Sequence, residues 1–249
     1  MLVDSGSGEP NEEAMVENSE ITAGQLVLVA TPLGNLGDIS RRALELLESA
    51  DVIYCEDTRR SSTLFSAHRI AVNGRLRALH EHNEASLCDQ VVAQVASGQT
   101  VVVISDAGTP GISDPGARVA AAVADAGLLV TTAPGPSAVV AALTISGLST
   151  ERFAMEGFVP RKSGEREALY AQWMHEPRTI VFFESPQRLA ATLNEMVGRF
   201  GARRACVARE LTKLHEEVLR GTVEEIATLV NAREVLGEIV VVLEGNTEV

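Results

Sequence analysis

The sequence contains few cysteines and lacks any long apolar segment. Cys55, Cys88 and Cys206 are far apart in 249 residues and form no CxxC pair. An odd number of scattered cysteines is typical of reduced thiols in a cytoplasmic protein rather than of a disulfide framework. No apolar run approaches the ~20 residues that a membrane-spanning helix needs. The first twenty residues also lack the basic and apolar regions of a secretory signal. We therefore expect a cytoplasmic protein with no membrane partner.

Several familiar site motifs are missing as well. The chain has no GxxxxGK[ST], no GxGxxG after its first predicted strand and no GxSxG. These absences argue against a P-loop nucleotidase, a dinucleotide-binding Rossmann domain and a serine hydrolase elbow. His80 and His82 alternate along one segment and point the same way, but no further ligands accompany them. Because zinc sites normally use three or four protein ligands, the sequence predicts no metal site, and a metal site at this pair is the alternative.

Acidic residues outnumber basic ones, and part of the excess lies at the N-terminus. The formal net charge is −13. Residues 1–24 carry six carboxylates and no Lys or Arg, which leaves −7 for the rest of the chain. We predict that this polar stretch is a disordered tail. An acidic body disfavours indiscriminate binding of nucleic acid, permits a local basic face and suits a cationic cofactor.

The stretch from Thr100 to Gly116 organises the rest of the sequence. Thr100 to Ile104 are all β-branched, which is typical of a strand buried on both faces. Small residues, Pro and Gly then form a loop over 105–111, at the strand end where open α/β sheets bind ligands. A tight turn without a ligand is the alternative. Asp114 and Pro115 are predicted to open a helix, with Asp114 as the N-cap.

Two similar loops follow other predicted strands, at 31–38 and 133–137. If these loops and 105–111 converge on one cleft, their backbone groups would surround a flat, mostly uncharged ligand. A pyrophosphate would instead require a helix-terminus nest or basic residues. The predicted strands are 25–30, 51–55, 100–104, 128–132, 152–158, 179–184, 205–210, 217–220 and 238–243; helices are predicted from Ser40 onward and at about 85–96, 138–145, 165–175, 186–200 and 223–232. This alternation predicts an α/β fold in two domains, 25–147 and 148–249.

Eight short sequence blocks follow one another in a recognisable order between about Leu26 and Gly245. They are ATPLGNLGDIS, EDTRRS, HEHNE, SDAGTPGISDPG, PGPSA, EGFVPRK, FFESPQR and ARELTKLHEEVLRGT. Together they resemble the ribosomal RNA small subunit methyltransferase I family of the tetrapyrrole-methylase superfamily. The departures are the acidic tail and Leu79, where an aromatic residue would be less surprising.

This resemblance implies a two-domain tetrapyrrole-methylase-like (class III methyltransferase) fold. Each domain would be a mixed sheet with flanking helices, and S-adenosylmethionine would bind in the cleft between them. The implied activity is methylation of a cytidine 2′-hydroxyl in small-subunit ribosomal RNA, in naked RNA or the assembled subunit, by a homodimer. The implied cofactor-binding residues are Leu33, Gly34, Asp106, Gly108, Thr109, Ser137, Ala138, Phe183 and Ala208. For the glycines, a role in shaping turns alone is the alternative.

A ribose hydroxyl is a poor nucleophile, so a general base or a cation beside the developing alkoxide would assist its attack. Glu210 and Lys213 lie three residues apart at a predicted strand end and are the catalytic candidates; a structural ion pair is the alternative. Asp38, Glu56 and Glu84 are further candidates. The residues expected to contact RNA are Arg59, Arg60, His80, His82, Arg161, Lys162 and Arg188. Two other functions stay open: a same-fold methyltransferase for a tetrapyrrole or other small molecule, and a non-catalytic ribosome-binding module.

Overall fold

The structure is a computed structural model that describes residues 24–246. The predicted disordered tail at 1–24 therefore lies outside the described residues, apart from Gly24. No helix within the described range is both long enough and apolar enough to cross a bilayer.

The first half of the chain builds a parallel five-stranded sheet. Its strands are β1 (Gln25–Val29), β2 (Val52–Cys55), β3 (Leu76–Ala78), β4 (Thr100–Ile104) and β5 (Leu129–Ala133). They lie in the order β3-β2-β4-β1-β5, and each neighbouring pair is parallel. All five residues of β4 are buried, which confirms the prediction from its β-branched sequence. Because the strands are parallel, the loops that follow them meet at one edge.

The second half builds a mixed five-stranded sheet. Its strands are β6 (Phe153–Phe158), β7 (Thr179–Glu184), β8 (Arg204–Arg209), β9 (Glu217–Thr222) and β10 (Ile239–Leu243). The order is β6-β7-β10-β8-β9, with β6 parallel to β7 and the other neighbours antiparallel. The register of β6 on β7 shifts between Met155 and Phe158. The predicted α/β architecture of two sheets with flanking helices is confirmed.

Eight α-helices connect the strands of the described chain. They are α1 (Arg41–Ser49), α2 (Thr58–Ala67), α3 (Glu84–Ala96), α4 (Ala117–Asp125), α5 (Ala138–Ser146), α6 (Ser163–Trp173), α7 (Pro186–Phe200) and α8 (Val223–Asn231). Helix α2 was not among the predicted elements. Its start is fixed by Asp57, whose side chain accepts a hydrogen bond from the Arg59 N–H, but its apolar side is narrow because Ser61 and Phe65 are its buried residues.

Apolar residues cover both faces of the first sheet. Val27 and Val29 of β1 pack with α1 and α2, whereas Leu26 lies in the cluster formed with α3 and α4. A second core under α6, α7 and α8 covers one face of the other sheet. Burial at about 25 cal/mol per Å² of apolar surface is the main stabilising term for such layers.

Helix α5 joins the two halves. Its residues Val139, Ala142 and Leu143 are buried against the second sheet, in one cluster with Val181 and Val240. The helix is apolar almost throughout, as expected for an element packed between sheets. It ends at Gly147, which adopts the left-handed conformation of a helix C-cap (φ 76°). The predicted domain boundary at this glycine stays a prediction.

Helix α4 begins differently from the prediction. Asp114 is not its N-cap, since the cap residue is Gly116 (φ 130°), which has no capping side chain. The carboxylate of Glu84, on α3, takes that role: its Oε1 accepts hydrogen bonds from the N–H groups of Gly116 (2.9 Å), Arg118 (2.9 Å) and Val119 (3.3 Å). A negative charge at a helix N-terminus is favourable. Glu84 is 5% exposed, so its role is structural rather than that of a general base.

Replacing Glu84 with alanine should destabilise the protein. The substitution leaves buried backbone donors at the start of α4 without an acceptor, which costs about 1–3 kcal/mol. We expect a lower melting temperature by calorimetry, and a smaller loss for Glu84→Gln, whose amide oxygen still accepts. Asp89→Ala, at an exposed position on the same helix, is the control and should change stability by less than about 0.5 kcal/mol. Equal stability of Glu84→Ala and the control would contradict the capping role.

Candidate active site

The loops after β1 and β4 are joined through their backbones. Thr31 N–H donates to Gly108 O (2.8 Å), and Gly108 N–H donates to Thr31 O (3.0 Å). The side chains add a second layer, because Thr31 Oγ1 donates to Ser105 O (3.1 Å) and Ser105 Oγ donates to Gly108 O (3.1 Å). Thr31 and Ser105 are buried. The two predicted loops therefore form one fixed unit.

The third loop joins the same unit. Thr109 Oγ1 donates to Pro136 O at 3.0 Å. Gly108 is the point where all three loops meet, since a Cβ atom there would lie 3.1 Å from Leu33 Cδ2 and 3.7 Å from Pro136 O. Its φ of +87° is a conformation that favours glycine. The predicted convergence of the three loops is confirmed.

Gly108→Ala should loosen this meeting point. The new methyl group would be strained at a positive φ and tight against Leu33, so we expect a loss of about 1–3 kcal/mol in the free energy of unfolding. Chemical denaturation measures it directly. Gly164→Ala is the matched control, because a Cβ there meets no atom within 4 Å and its φ is ordinary. If both variants unfold at the same denaturant concentration, the crowding at Gly108 has no energetic consequence.

A cavity of about 400 Å³ opens beside these loops, between the two sheets. Seven of the nine predicted cofactor-binding residues line it: Leu33, Asp106, Gly108, Thr109, Ser137, Ala138 and Phe183. The second half contributes further walls from Leu211, Gly237 and the start of β10. Residues distant in sequence thus share one concave surface, which is the usual form of a small-molecule site.

Two predicted cofactor residues lie off this surface. Ala208 is completely buried in the centre of the second sheet, where it pairs with Val218 and Val240. Gly34 is exposed and packs on Lys213; a Cβ on Gly34 would come within 2.1 Å of Lys213 Cγ. Glycine at this position lets the first loop lie against the lysine stem. Neither residue lines the cavity, so their contact with the cofactor stays a prediction.

Carboxylates dominate the polar part of the cavity wall. They come from Glu56, Asp106, Asp114, Glu184 and Glu238. Asp106 accepts from the Asp57 N–H (3.1 Å) and from Arg60 Nη1 (3.3 Å). Glu184 is fully buried, accepts from Thr192 Oγ1 (2.7 Å) and pairs with Arg188 (3.3 Å). The wall therefore favours a ligand that carries positive charge.

Burial, together with the closeness of these groups, raises two pKa values. Burial, followed by the charges of Glu56, Asp106 and Glu238, raises the pKa of Asp114 to about 7. Burial and the nearby Asp106 also raise the pKa of Glu56 above its usual range, although Arg60 and His80 act against this shift. Perturbed carboxyl groups that line a cavity indicate a functional site.

The predicted catalytic pair forms an ion-pair network at the rim. Lys213 Nζ donates to Glu210 Oε1 (2.9 Å) and to Glu238 Oε2 (3.0 Å). Burial acts to lower the pKa of Lys213, but these two carboxylates outweigh it and raise that pKa. Burial likewise acts to raise the pKa of Glu210, whereas the hydrogen bonds from Lys213 and the Glu238 N–H lower it. Lys213 is thus held as a cation and Glu210 as an anion, and their catalytic role stays a prediction.

An apolar surface faces the carboxylates. Phe158 and Phe183 are in contact, with ring centroids 5.4 Å apart, and Leu33, Leu211 and Val240 extend this side of the cavity. Phe158 is 57% exposed, so a flat ring entering the cavity would meet an accessible aromatic face.

The residues expected to contact RNA occupy different environments. Arg59 and Arg60 are exposed on α2, where Arg59 pairs with Asp57 and Arg60 reaches the cavity. Arg161 and Lys162 are exposed ahead of α6. By contrast, Arg188 Nη2 donates to the carbonyl oxygens of Val159 (2.8 Å) and Pro160 (3.1 Å) in addition to its ion pair with Glu184. These bonds give Arg188 a structural role, and its RNA contact stays a prediction.

The remaining predicted candidates are also located. His80 and His82 lie with ring centroids 6.0 Å apart. Within residues 24–246, no group of three or more His, Cys, Asp and Glu could hold a metal ion. Asp38 is exposed in a short 3₁₀ helix, Leu36–Asp38. Glu56 is the further base candidate that lines the cavity.

Sequence reasoning missed several cavity residues, among them Ile112, Asp114, Phe158, Gly237 and Glu238. Asp114 and Phe158 fall inside two of the quoted blocks, SDAGTPGISDPG and EGFVPRK, and that membership was a usable signal. Gly237 and Glu238 belong to no quoted block, and they reach the cavity through pairing of β10 within the second sheet.

The fold and site define a class of protein. The chain belongs to the tetrapyrrole methylases: residues 25–227 match the family described as Tetrapyrrole (Corrin/Porphyrin) Methylases. The match covers the first sheet and strands β6 to β9 of the second, and it includes all three loops around the cavity.

Three relatives that are 42–51% identical to this chain carry the same name. The ribosomal RNA small subunit methyltransferase I of Mycobacterium tuberculosis (strain CDC 1551 / Oshkosh) is 51% identical over 226 residues, which cover 90% of this chain and 79% of that protein. Proteins of the same name from Neisseria meningitidis serogroup B (strain ATCC BAA-335 / MC58) and Escherichia coli O157:H7 are 45% and 42% identical, over 91% and 92% of this chain and 78% and 81% of theirs. These relatives confirm the family resemblance drawn from the eight blocks.

Solved structures confirm the fold. Uroporphyrin-III C-methyltransferase from Thermus thermophilus complexed with S-adenyl homocysteine has a TM-score of 0.61 at 20% identity, covering 89% of this chain and 97% of that one. Cobalt precorrin-4 methyltransferase has a TM-score of 0.62 at 16% identity, over 88% and 94% of the two chains.

Proposed function

We propose that this protein transfers a methyl group from S-adenosylmethionine to the 2′-hydroxyl of a cytidine in small-subunit ribosomal RNA. The observation that carries the proposal is the name shared by relatives that are 42–51% identical over about nine-tenths of the chain. The shape and charge of the cavity support it independently.

The residues of the cavity fit the proposed cofactor. S-adenosylmethionine combines a flat adenine ring, a ribose and a sulfonium cation. Phe183, Leu211 and Val240 offer the apolar surface that a purine needs, and the loop around Gly108 brings backbone groups close to the ligand. Asp106 and Asp114 add negative charge to the same wall. A cation gains affinity in such a site because low-dielectric walls strengthen its attraction to the carboxylates.

In the proposed mechanism, the protein's main task is alignment. The bound cofactor supplies an electrophilic methyl group, and the chain must hold the ribose oxygen in line with it. Holding two reactants in this way can lower a barrier by about 7–11 kcal/mol. The hydrogen-bonded unit of Thr31, Gly108 and Thr109 gives the cofactor side of that alignment a fixed base.

Lys213 is proposed to stabilise charge on the attacking oxygen. It is held as a cation at the cavity rim, one hydrogen bond from the lining residue Glu238. Its stem packs on Gly34, which restricts where the ammonium group can lie. Preorganised charges of this kind act strongly on a transition state because they need no reorganisation during the reaction.

RNA is proposed to approach from the side of α2 and the loop before α6. Arg59, Arg60, Arg161 and Lys162 are exposed there, and Arg59 has a side chain 90% exposed. Arginine and lysine contribute phosphate contacts, which let an acidic protein bind RNA through a local face. His80 and His82 lie next to α3, near Glu56 of the cavity.

A homodimer in the cytoplasm is part of the proposal. Leu129 on the edge strand β5 and Val140 on α5 are 50% and 52% exposed. A contiguous apolar patch marks an interaction surface, and these two positions are where we propose that the dimer contact lies. The proposed ribosomal substrate is the reason for proposing a cytoplasmic location.

A small-molecule methyltransferase is the second candidate function. The structural likeness to uroporphyrin-III C-methyltransferase favours it, but at 20% identity that likeness concerns the fold alone. A non-catalytic ribosome-binding module is the third, and binding of S-adenosylmethionine in a calorimetry experiment would contradict it. A labelled-methyl assay that offers small ribosomal subunits and corrins in parallel separates the two enzymatic functions.

Mapping ribose methylation in ribosomal RNA tests the proposal directly. We expect one cytidine 2′-O-methyl group that appears with the wild-type protein and is absent without it. Lys213→Ala should lower the rate of methylation by about 10²–10³-fold, since one stabilising donor is lost, while the affinity for S-adenosylmethionine measured by calorimetry stays nearly unchanged. Arg41→Ala, at a side chain 87% exposed on α1, is the control. Wild-type turnover by Lys213→Ala would remove this residue from the mechanism.

A further inference from the structure

A hydroxyl nucleophile must lose its proton, and the predicted catalytic pair is poorly suited to accept it. Lys213 is hydrogen-bonded to two carboxylates and protonated, and Glu210 shares its Oε1 between Lys213 and the Glu238 N–H. A general base works best when it is free to receive a proton and has a pKa near the working pH. The acceptor is therefore to be sought among the carboxylates of the cavity wall.

Most of those carboxylates are already committed to partners. Asp106 holds Arg60 and the Asp57 N–H, Glu184 holds Arg188 and Thr192, and Glu238 holds Lys213. Within the described chain, Asp114 and Glu56 are the lining carboxylates without an Arg or Lys in ion-pair distance. These two are the candidates.

The loop that carries Asp114 is held in place from both sides. Gly111 N–H donates to Pro115 O (3.0 Å), closing the turn around Asp114. Two residues further on, the Glu84 carboxylate fixes Gly116 N–H. The neighbouring Ser113 adopts a positive φ of 61°, a conformation that persists only where the surroundings enforce it. A functional side chain on such a supported loop keeps its orientation.

The surroundings of Asp114 differ from those of Glu56. The charged groups that act most on Asp114 are Glu56 from the loop after β2, Asp106 from the loop after β4 and Glu238 ahead of β10, and all three are acidic. The lining cation Arg60 is paired with Asp106. Glu56 faces the acidic Asp106 and Asp57 but also Arg60 and His80. Asp114 is therefore the lining carboxylate that gains most from taking up a proton.

We propose that the Asp114 carboxylate is the general base of the methyl transfer. The inference rests on the function proposed above. The ribose 2′-oxygen forms a bond to the methyl carbon, and the bond from that carbon to sulfur breaks. Sulfur keeps the electron pair and becomes a neutral thioether, and the hydroxyl proton passes to Asp114, which releases it to solvent after the reaction. Lys213 then acts on the charge of the oxygen and Asp114 on its proton.

The test compares Asp114→Asn with Glu56→Gln in single-turnover methylation of small-subunit RNA between pH 5.5 and 9. The wild-type rate should rise with pH through the pKa of Asp114 in the complex and then level off; because the bound cation favours the charged carboxylate, this inflection should lie below the value of about 7 in the free protein. Asp114→Asn should be about 10²–10⁴-fold slower and lose that inflection. Glu56→Gln should keep the inflection but move it to lower pH, because one repelling charge next to Asp114 is gone. An unchanged inflection in Asp114→Asn, or its disappearance in Glu56→Gln alone, would overturn the proposal.

A second measurement is independent of activity. The pKa of Asp114 is higher in the folded than in the unfolded chain, so the folded state holds its proton more tightly between about pH 4 and 7. This contribution to stability is lost as pH rises through about 7. Asparagine stays neutral, so the melting temperature of Asp114→Asn relative to wild type should increase from pH 5 to pH 8. A constant difference would show that Asp114 does not titrate there and would contradict its role.

Binding of S-adenosylhomocysteine by calorimetry separates the possible failures. Asp114→Asn should bind it within a few-fold of wild type; a complete loss would make Asp114 a binding residue rather than a base and would overturn the assignment. If wild-type protein binds the cofactor product yet methylates no RNA, the proposed function fails instead. The stability measurement then still decides whether Asp114 titrates near pH 7.

Discussion

The pair of backbone hydrogen bonds between Thr31 and Gly108 is the constraint on which the site depends. The pair links loops that follow two neighbouring parallel strands, and the Thr109 hydroxyl then attaches the loop that follows β5. Each bond contributes only about 0.5–1.5 kcal/mol to stability, but together they fix the relative positions of three loops. Gly108 lies at their junction because its positive φ favours glycine and a Cβ there would be tight against Leu33. The cavity exists because these turns are joined and because α5 holds the second sheet against them.

The polar part of the cavity wall is predominantly acidic. Five carboxylates line a space of about 400 Å³ together with Arg60 as the lining cation among the described residues. Pairing removes part of the repulsion, as in Asp106 with Arg60 and Glu238 with Lys213. The repulsion that remains acts on Asp114 and Glu56, where it adds to burial in raising both pKa values. A cationic ligand would relieve that repulsion, so the same charges that cost stability in the free protein favour binding.

Local sequence patterns were sufficient to predict much of the fold. The β-branched residues of β4 and the small-residue loops predicted a buried parallel strand and a ligand edge, since both features follow from short-range chemistry. Helix α2 was missed because its apolar side consists of little more than Phe65 and the small Ser61. Asp114 was wrongly assigned as a helix cap because Asp before Pro is a common start signal; the carboxylate that takes the capping role, Glu84, lies 32 residues before the cap residue Gly116 and belongs to another helix. A contact between residues so far apart in the sequence cannot be predicted from a local pattern.

The site also combines residues that local patterns can predict with residues that depend on contacts between distant parts of the chain. Of the seven cofactor residues carried over from the resemblance that line the cavity, all but Phe183 lie on or next to loops whose positions follow from strand order, and Phe183 lies on β7. The approach of Lys213 to Gly34 and the entry of Gly237 and Glu238 depend on how the second sheet sits against the first. That arrangement arises from packing of α5 on β7, β8 and β10, which is a property of the whole molecule rather than of any one segment.

A crystal structure of the protein with S-adenosylhomocysteine would show whether the cavity between the two sheets is the cofactor site. We predict that the ligand lies between the joined loops at Thr31, Gly108 and Pro136 and the wall formed by Phe183, Leu211 and Val240. Its sulfur should face the acidic side, near Asp106 and Asp114. A ligand bound elsewhere, or loops that separate to admit it, would contradict this assignment.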